Sequence, residues 1–124
     1  MNIKLVSQKT GLSSSQSRYY EKQNIIPAVT RDSFGNRDFA QVDIEWLLFA
    51  KQMRQAGISI KALKHYVSLF YQGQDTINSR IELLKEEKLK LVDKANNLNQ
   101  AIQQLELKII NYKTHLIKTE EKLK

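Results

Sequence analysis

Apolar positions along the chain follow two patterns that change over near residue 73. From Ile77 onward they recur in alternating steps of four and three: Ile77, Ile81, Leu84, Leu91, Ala95, Leu98, Ile102, Leu105, Ile109, Tyr112, Leu116 and Leu123, with Lys88 and Thr119 as polar members of the series. Such heptad spacing predicts a coiled coil rather than a helix sunk in a globule. At 1.5 Å per residue the helix would run about 70 Å, longer than the preceding residues can cover. A second copy of the chain is therefore the expected partner, because a symmetric dimer needs only one self-complementary face. Ile81, Leu84, Leu91, Leu98, Ile102, Leu105, Ile109, Tyr112 and Leu116 are its expected dimerisation residues. Leu83, Leu89, Val92, Leu107, Ile110 and Ile117 widen the stripe and predict contact with the globular regions as well. Asp75 or Thr76 is the expected N-cap. Lys88 in the seam is expected to set register or orientation.

Before residue 73 the spacing is shorter and interrupted. The single proline, Pro27, and all four glycines lie in this part, so several short elements are expected here and one continuous element beyond. Asn2 can cap a helix over Ile3 to Lys9, stopped at Thr10-Gly11. Ser13 with Gln16 three residues later forms a capping-box pair opening a second helix that runs to Gln23. Two helices across so tight a glycine turn predict a helix-turn-helix. Val29-Thr30-Arg31 and Arg37-Asp38-Phe39, joined through a turn at 32–36, read as two short strands of a wing. A third helix is expected from Gln41 to Ala56 and, capped by Ser59, a fourth from Ile60 to Gln72. The fold class is thus mostly α, with a winged helix-turn-helix domain at 1–72 and a dimerisation helix at 75–124.

Composition narrows the chemistry. Twenty Lys and Arg against 13 Asp and Glu leave a formal charge of +7, which favours a polyanionic partner. The absence of cysteine removes disulfides, thiol nucleophiles and thiolate metal sites. No apolar run is long enough for a membrane span or a signal peptide, so a cytoplasmic protein without a membrane partner is expected. His65 and His115 stand far apart without a second ligand at metal spacing, and no catalytic constellation is present. No enzyme activity, cofactor or metal is expected.

A helix-turn-helix followed by a basic hairpin suits double-stranded DNA, the second helix entering the major groove and the hairpin lying on the backbone. Ser14, Ser15 and Gln16 occupy the first turn of that helix, where unpaired N–H groups attract a phosphate or a base edge. Arg18 and Tyr19 follow one turn later, and Arg31 and Arg37 flank the hairpin turn. Each has a plainer reading. Arg18 can pair with Glu21 or Glu45, Gln16 can serve the cap alone, and Arg31 and Arg37 can keep a hairpin edge soluble. Tyr19 and Tyr20 lie about 100° apart on a helix, so one of them is expected in the core. Trp46, Phe49 and Phe70 are expected to be core residues rather than a ligand box.

The order Gly11-Leu12-Ser13, Arg18-Tyr19-Tyr20-Glu21, Ile26-Pro27, Arg31 and Gly35-Asn36-Arg37-Asp38-Phe39 resembles the MerR family of transcription regulators. The resemblance continues through Asp43-Ile44-Glu45-Trp46-Leu47 and Arg54-Gln55-Ala56-Gly57-Ile58-Ser59, and so covers residues 1–72 and the helix beyond. It implies a winged-helix domain, an antiparallel coiled-coil dimer, and a pseudo-palindromic promoter site with an overlong spacer. It further implies activation by DNA distortion, with RNA polymerase as a partner at the promoter. DNA contacts implied by the family map onto Arg18, Tyr19, Arg31, Asn36 and Arg37, and a phosphate contact onto Lys61.

Residues 49–57 are similar to the aldehyde-responsive branch, with Gln52 where that branch carries its cysteine, which excludes a thiol switch there. Drug-binding members add a domain after the coiled coil, whereas this sequence ends within it, so no effector pocket is pointed to and a small-molecule effector stays an open question. The competing function is a coiled-coil interaction adaptor without specific DNA binding.

Overall fold

The structure, a computed structural model, describes residues 1–116 with Glu121 and Leu123, apart from the side chains of 115 and 116. Among the described residues five α-helices follow in order: α1 (Ile3–Thr10), α2 (Ser14–Lys22), α3 (Gln41–Gln55), α4 (Ile60–Tyr71) and α5 (Ile77–Asn111). A 3₁₀ turn, Gln74–Thr76, precedes α5, and a π-helical turn, Tyr112–Leu116, follows it. The chain packs as two units, Met1–Lys85 and Glu86–Lys124.

In the first unit, α1, α2 and α3 pack on one another. Val6, Leu12, Ile44, Leu47, Ala50, Leu63 and Val67 are buried on the inward faces, joined by Ile25, Ile26, Val29 and Phe39 from the segment after α2. Burying an aliphatic or aromatic side chain of this size stabilises a fold by about 1.5–3 kcal/mol. These residues therefore carry most of the head's stability.

The local signals account for the helix ends. Asn2 Oδ1 accepts the Leu5 N–H at 3.0 Å. Gly11 takes the left-handed conformation at φ 73° and closes α1 through its N–H to the Ser7 carbonyl. A Cβ there would lie 2.8 Å from Lys51 Nζ, the ammonium that ties α3 to the end of α1 by donating to the Thr10 carbonyl at 2.8 Å. The left-handed φ is what favours glycine at this turn, since the Lys51 ammonium is the far end of a flexible side chain and can shift. Ser13 Oγ accepts the Gln16 N–H at 3.1 Å and Gln16 Oε1 accepts the Ser13 N–H at 2.9 Å, completing the capping box. Ser59 Oγ accepts from Ala62 N–H at 3.0 Å.

Three expectations are corrected. The two wing strands do not form: residues 31 and 37 share an isolated antiparallel bridge, and no strand occurs among the described residues. Two backbone bonds flank that bridge, Asp32 N–H to the Asn36 carbonyl and Asp38 N–H to the Thr30 carbonyl, each at 2.8 Å, and side chains satisfy other amides of the wing. Asp32 Oδ1 accepts from the N–H groups of Phe34 and Asn36, each at 2.9 Å. Thr76 does not cap α5. Its hydroxyl donates backwards to the carbonyls of Leu69 and Gly73 and accepts from Arg80 Nε at 3.2 Å, clasping the end of α4 to the 3₁₀ turn. Trp46, Phe49 and Phe70 are not core residues. With Tyr66 they form a partly exposed aromatic cluster, Trp46 and Phe49 against Tyr66 and Phe70 against Trp46, with centroid separations of 5.3–6.1 Å, beside a cleft of about 230 Å³ that Leu84 also lines.

No residue of α5 is buried. Ile81, Leu84, Ile102, Ile109 and Tyr112 are exposed, Leu98 and Leu105 are 64% and 63% exposed, and Leu91 is half-buried. The π-helical turn adds a residue to its helical turn and breaks the heptad step between Tyr112 and Leu116. The side chain of Leu116 and the positions Ile117 and Thr119 lie outside the described residues.

Candidate nucleic-acid interface

The side chains expected to meet DNA come from α2 and the wing, with Lys61 at the start of α4. Two clefts share several of them. The first, about 540 Å³, lies between the start of α1 and the wing and is lined by Asn2, Arg18, Arg31, Asn36 and Arg37. The second, about 660 Å³, lies between α2 and the wing and is lined by Ser15, Arg18, Tyr19, Glu21, Arg31 and Arg37. Arg18, Arg31 and Arg37 line both and concentrate positive charge between α2 and the wing.

Glu21, expected from the sequence only as one of two acids that could pair with Arg18, lies between α2 and the wing. Its carboxylate is 10% exposed. Oε1 accepts from Arg37 Nε at 2.5 Å and lies 3.7 Å from Arg31 Nη2, while Oε2 accepts the Val29 N–H at 2.5 Å. Burial alone raises this carboxyl. The Val29 N–H, the Arg37 hydrogen bond and the charges of Arg37 and Arg31 outweigh it, so the group titrates below the ordinary carboxylate range.

Glu21 is thus taken by the wing arginines rather than by Arg18, which is exposed and forms no ion pair among the described residues. Arg18 and Tyr19 both point to the surface, and Tyr20 is the half-buried member of the tyrosine pair, 6.3 Å from Tyr19 between ring centroids. Neither tyrosine is fully buried; the core position on this helix belongs to Ser17, whose buried Oγ has no hydrogen-bond partner.

The remaining sites divide. Ser15 and Asn36 are exposed on the clefts. Ser14 turns toward α1, its Oγ 3.4 Å from Ser7 Oγ. The Gln16 side chain is engaged in the cap, though it also lines a third cleft of about 600 Å³ with Tyr19, Lys51 and Arg54 on the far side of α2. Lys61 is exposed near the start of α4 and lines none of these three clefts.

Two further features escaped the sequence pattern. Phe34, at the wing tip, is 88% exposed on a turn held by Asp32 and by the Gly35 N–H to the Asp32 carbonyl at 3.0 Å. Tyr71, at the end of α4, accepts the Ala28 N–H at 2.7 Å. Consecutive amides at the base of the wing are therefore held by α4 and by α2. Among the described residues no cluster of His, Cys, Asp or Glu could hold a metal ion, and no helix is long and apolar enough to cross a membrane.

Residues 1–69 match the family described as MerR HTH family regulatory protein. The HTH-type transcriptional regulator AdhR of Bacillus subtilis is 42% identical over 93 residues, which span 75% of this chain and 66% of that relative. The crystal structure of a Listeria monocytogenes chain assigned to the MerR family of transcriptional regulators superposes with a TM-score of 0.90 at 43% identity, covering 99% of this chain and 93% of that one. HiNmlR, a MerR family regulator lacking the sensor domain and solved bound to promoter DNA, superposes with a TM-score of 0.81 at 28% identity, covering 90% of this chain and 89% of that one.

Proposed function

Because this chain belongs to the MerR family of helix-turn-helix regulators, DNA-binding transcription factors rather than enzymes, we propose that it binds a pseudo-palindromic promoter site as a homodimer and acts by distorting the DNA. The observation that carries the reading is the convergence of Arg18, Arg31 and Arg37 on two adjoining clefts between α2 and the wing. The first turn of α2 brings Ser15 to one of them. Arg18 and Tyr19 reach base edges or the adjoining backbone, and Arg31 and Asn36 contact phosphates flanking the groove. Lys61 adds a phosphate contact from the start of α4. The promoter DNA bound by HiNmlR supports DNA of the same kind as the ligand here.

The exposed seam of α5 supports a second copy as its cover, since an apolar stripe of this length is unfavourable in water. Two reading heads then meet two half-sites, and DNA shape becomes part of what is read. RNA polymerase at the same promoter is the partner through which distortion acts, in the cytoplasm.

Binding of a fragment from upstream of the chain's own gene, measured by fluorescence anisotropy from 50 to 300 mM salt, tests the proposal. Affinity is expected to fall by orders of magnitude across the series. Arg18→Ala is expected to cost more than any single lysine change in residues 85–113. Equal affinity for unrelated DNA at physiological salt would overturn specific recognition and favour the adaptor reading.

A further inference from the structure

An acid on a surface meant for phosphate weakens binding unless it has another task. Glu21 has one that the geometry defines. Its carboxylate joins three points of the chain, the last turn of α2, the Val29 amide at the base of the wing, and Arg37 on the returning leg. A nearly buried carboxylate is costly to desolvate unless paired and hydrogen-bonded, and here both oxygens are engaged. The two arginines are held differently. Arg37 is 20% exposed and makes a charge-assisted hydrogen bond, whereas Arg31 is 48% exposed and sits 3.7 Å from the same oxygen, beyond hydrogen-bond distance. Its other contact, Arg31 Nη1 to the Gly35 carbonyl, is long at 3.4 Å.

We propose that Glu21 is a positioning residue for DNA reading: it fastens the wing to α2 through Arg37 and Val29, and it keeps Arg31 loosely paired so that this guanidinium transfers to a DNA phosphate when the complex forms. The inference rests on the DNA-binding reading above. Two arginines around one acid make the exchange feasible. When Arg31 leaves, Arg37 and the Val29 N–H still compensate the carboxylate, so no unpaired charge is stranded. Before the exchange, Glu21 masks part of the Arg31 charge, which lowers affinity for arbitrary DNA. The carboxylate thus serves specificity by holding the wing in one place and by restraining binding that carries no sequence information.

The test compares the purified full chain and its variants on two duplexes of equal length, the fragment upstream of its own gene and a scrambled sequence. Wild type is expected to prefer the upstream fragment. Glu21→Gln, which keeps an acceptor for Val29 but not the charge, is expected to bind the scrambled duplex several-fold more tightly, to steepen the salt slope by about one ion, and to lose about tenfold in preference. Glu21→Asp keeps the charge with a shorter reach and is expected to restore the wild-type slope but not the preference. A merely structural role would lower binding to both duplexes and leave the slope alone.

Thermal melting without DNA supplies an independent arm. Arg37→Ala is expected to lower the midpoint by several degrees and Arg31→Ala to leave it within about a degree, corresponding to a strut and a loosely held side chain. If Glu21→Gln keeps both slope and preference, or if the two arginine variants melt alike, the inference is overturned while DNA reading stands. If wild type itself shows no preference, the DNA-reading proposal fails and this one with it.

Discussion

The details that separate this head from a generic three-helix core are single atoms. Ser17 buries its Oγ on α2 without a partner, and a buried unsatisfied hydroxyl costs about 1–3 kcal/mol. Ser17→Ala, which also improves helix propensity, is expected to stabilise the chain by about 1 kcal/mol in a urea melt. Glu21 gives the opposite case. Its folded-state pKa is lowered, so its stabilisation is fully present above the unfolded value of about 4.3 and is lost as pH falls through the folded value. Urea melts from pH 7 to pH 3 are expected to show wild type losing its advantage over Glu21→Gln across that acidic range. An advantage unchanged down to pH 3 would contradict the ion-pair geometry. Phe34 is expected to matter for the ligand alone. Since it touches little of the fold, Phe34→Ser is expected to leave the melting midpoint unchanged while weakening DNA binding through a lost apolar contact.

At the level of elements, the helices were legible because their signals are local. Asn2, Ser13 with Gln16, Gly11 and Ser59 each place an end where the structure has it. Gly11→Ala is accordingly expected to cost about 1–2 kcal/mol, the penalty for a side chain in the left-handed region, with further loss if Lys51 is displaced from Thr10. The wing was legible as a turn between basic legs but not in its construction. β-branched and aromatic residues at 29–31 and 37–39 suggested strands, whereas pairing between the legs stops at the 31/37 bridge and its two backbone bonds, and side chains of Asp32, Glu21 and Tyr71 hold the tip and the base. Such contacts join residues up to 43 positions apart and leave no periodic trace. Thr76 differs for a local reason. Its position before a helix suggested a cap, but its hydroxyl is committed to the preceding turn. Removing the long-range Tyr71 bond by Tyr71→Phe is expected to cost about 1 kcal/mol and to speed hydrogen exchange at the Ala28 amide.

Over the whole molecule, fold class, family and the placement of Arg18 and Tyr19 on the exposed face of α2 followed from the residue order. The electrostatic hierarchy of the arginines did not, because it depends on how far each guanidinium sits from one carboxylate. Pairing of two chains remains the proposal that links the two units functionally. Leu98→Lys places a charge at an exposed seam position without touching the head's core. It is expected to shift the dimer to monomer in sedimentation velocity at micromolar concentration, with an unchanged melting transition for the head and a loss of operator affinity of at least tenfold. The measurement that tests the central claim most directly is hydroxyl-radical footprinting of the fragment upstream of the chain's own gene. Two protected half-sites related by two-fold symmetry on one face of the duplex are predicted, with altered cleavage between them where the DNA is distorted. A single unsymmetrical protected patch, or protection no different from that of scrambled DNA, would contradict it.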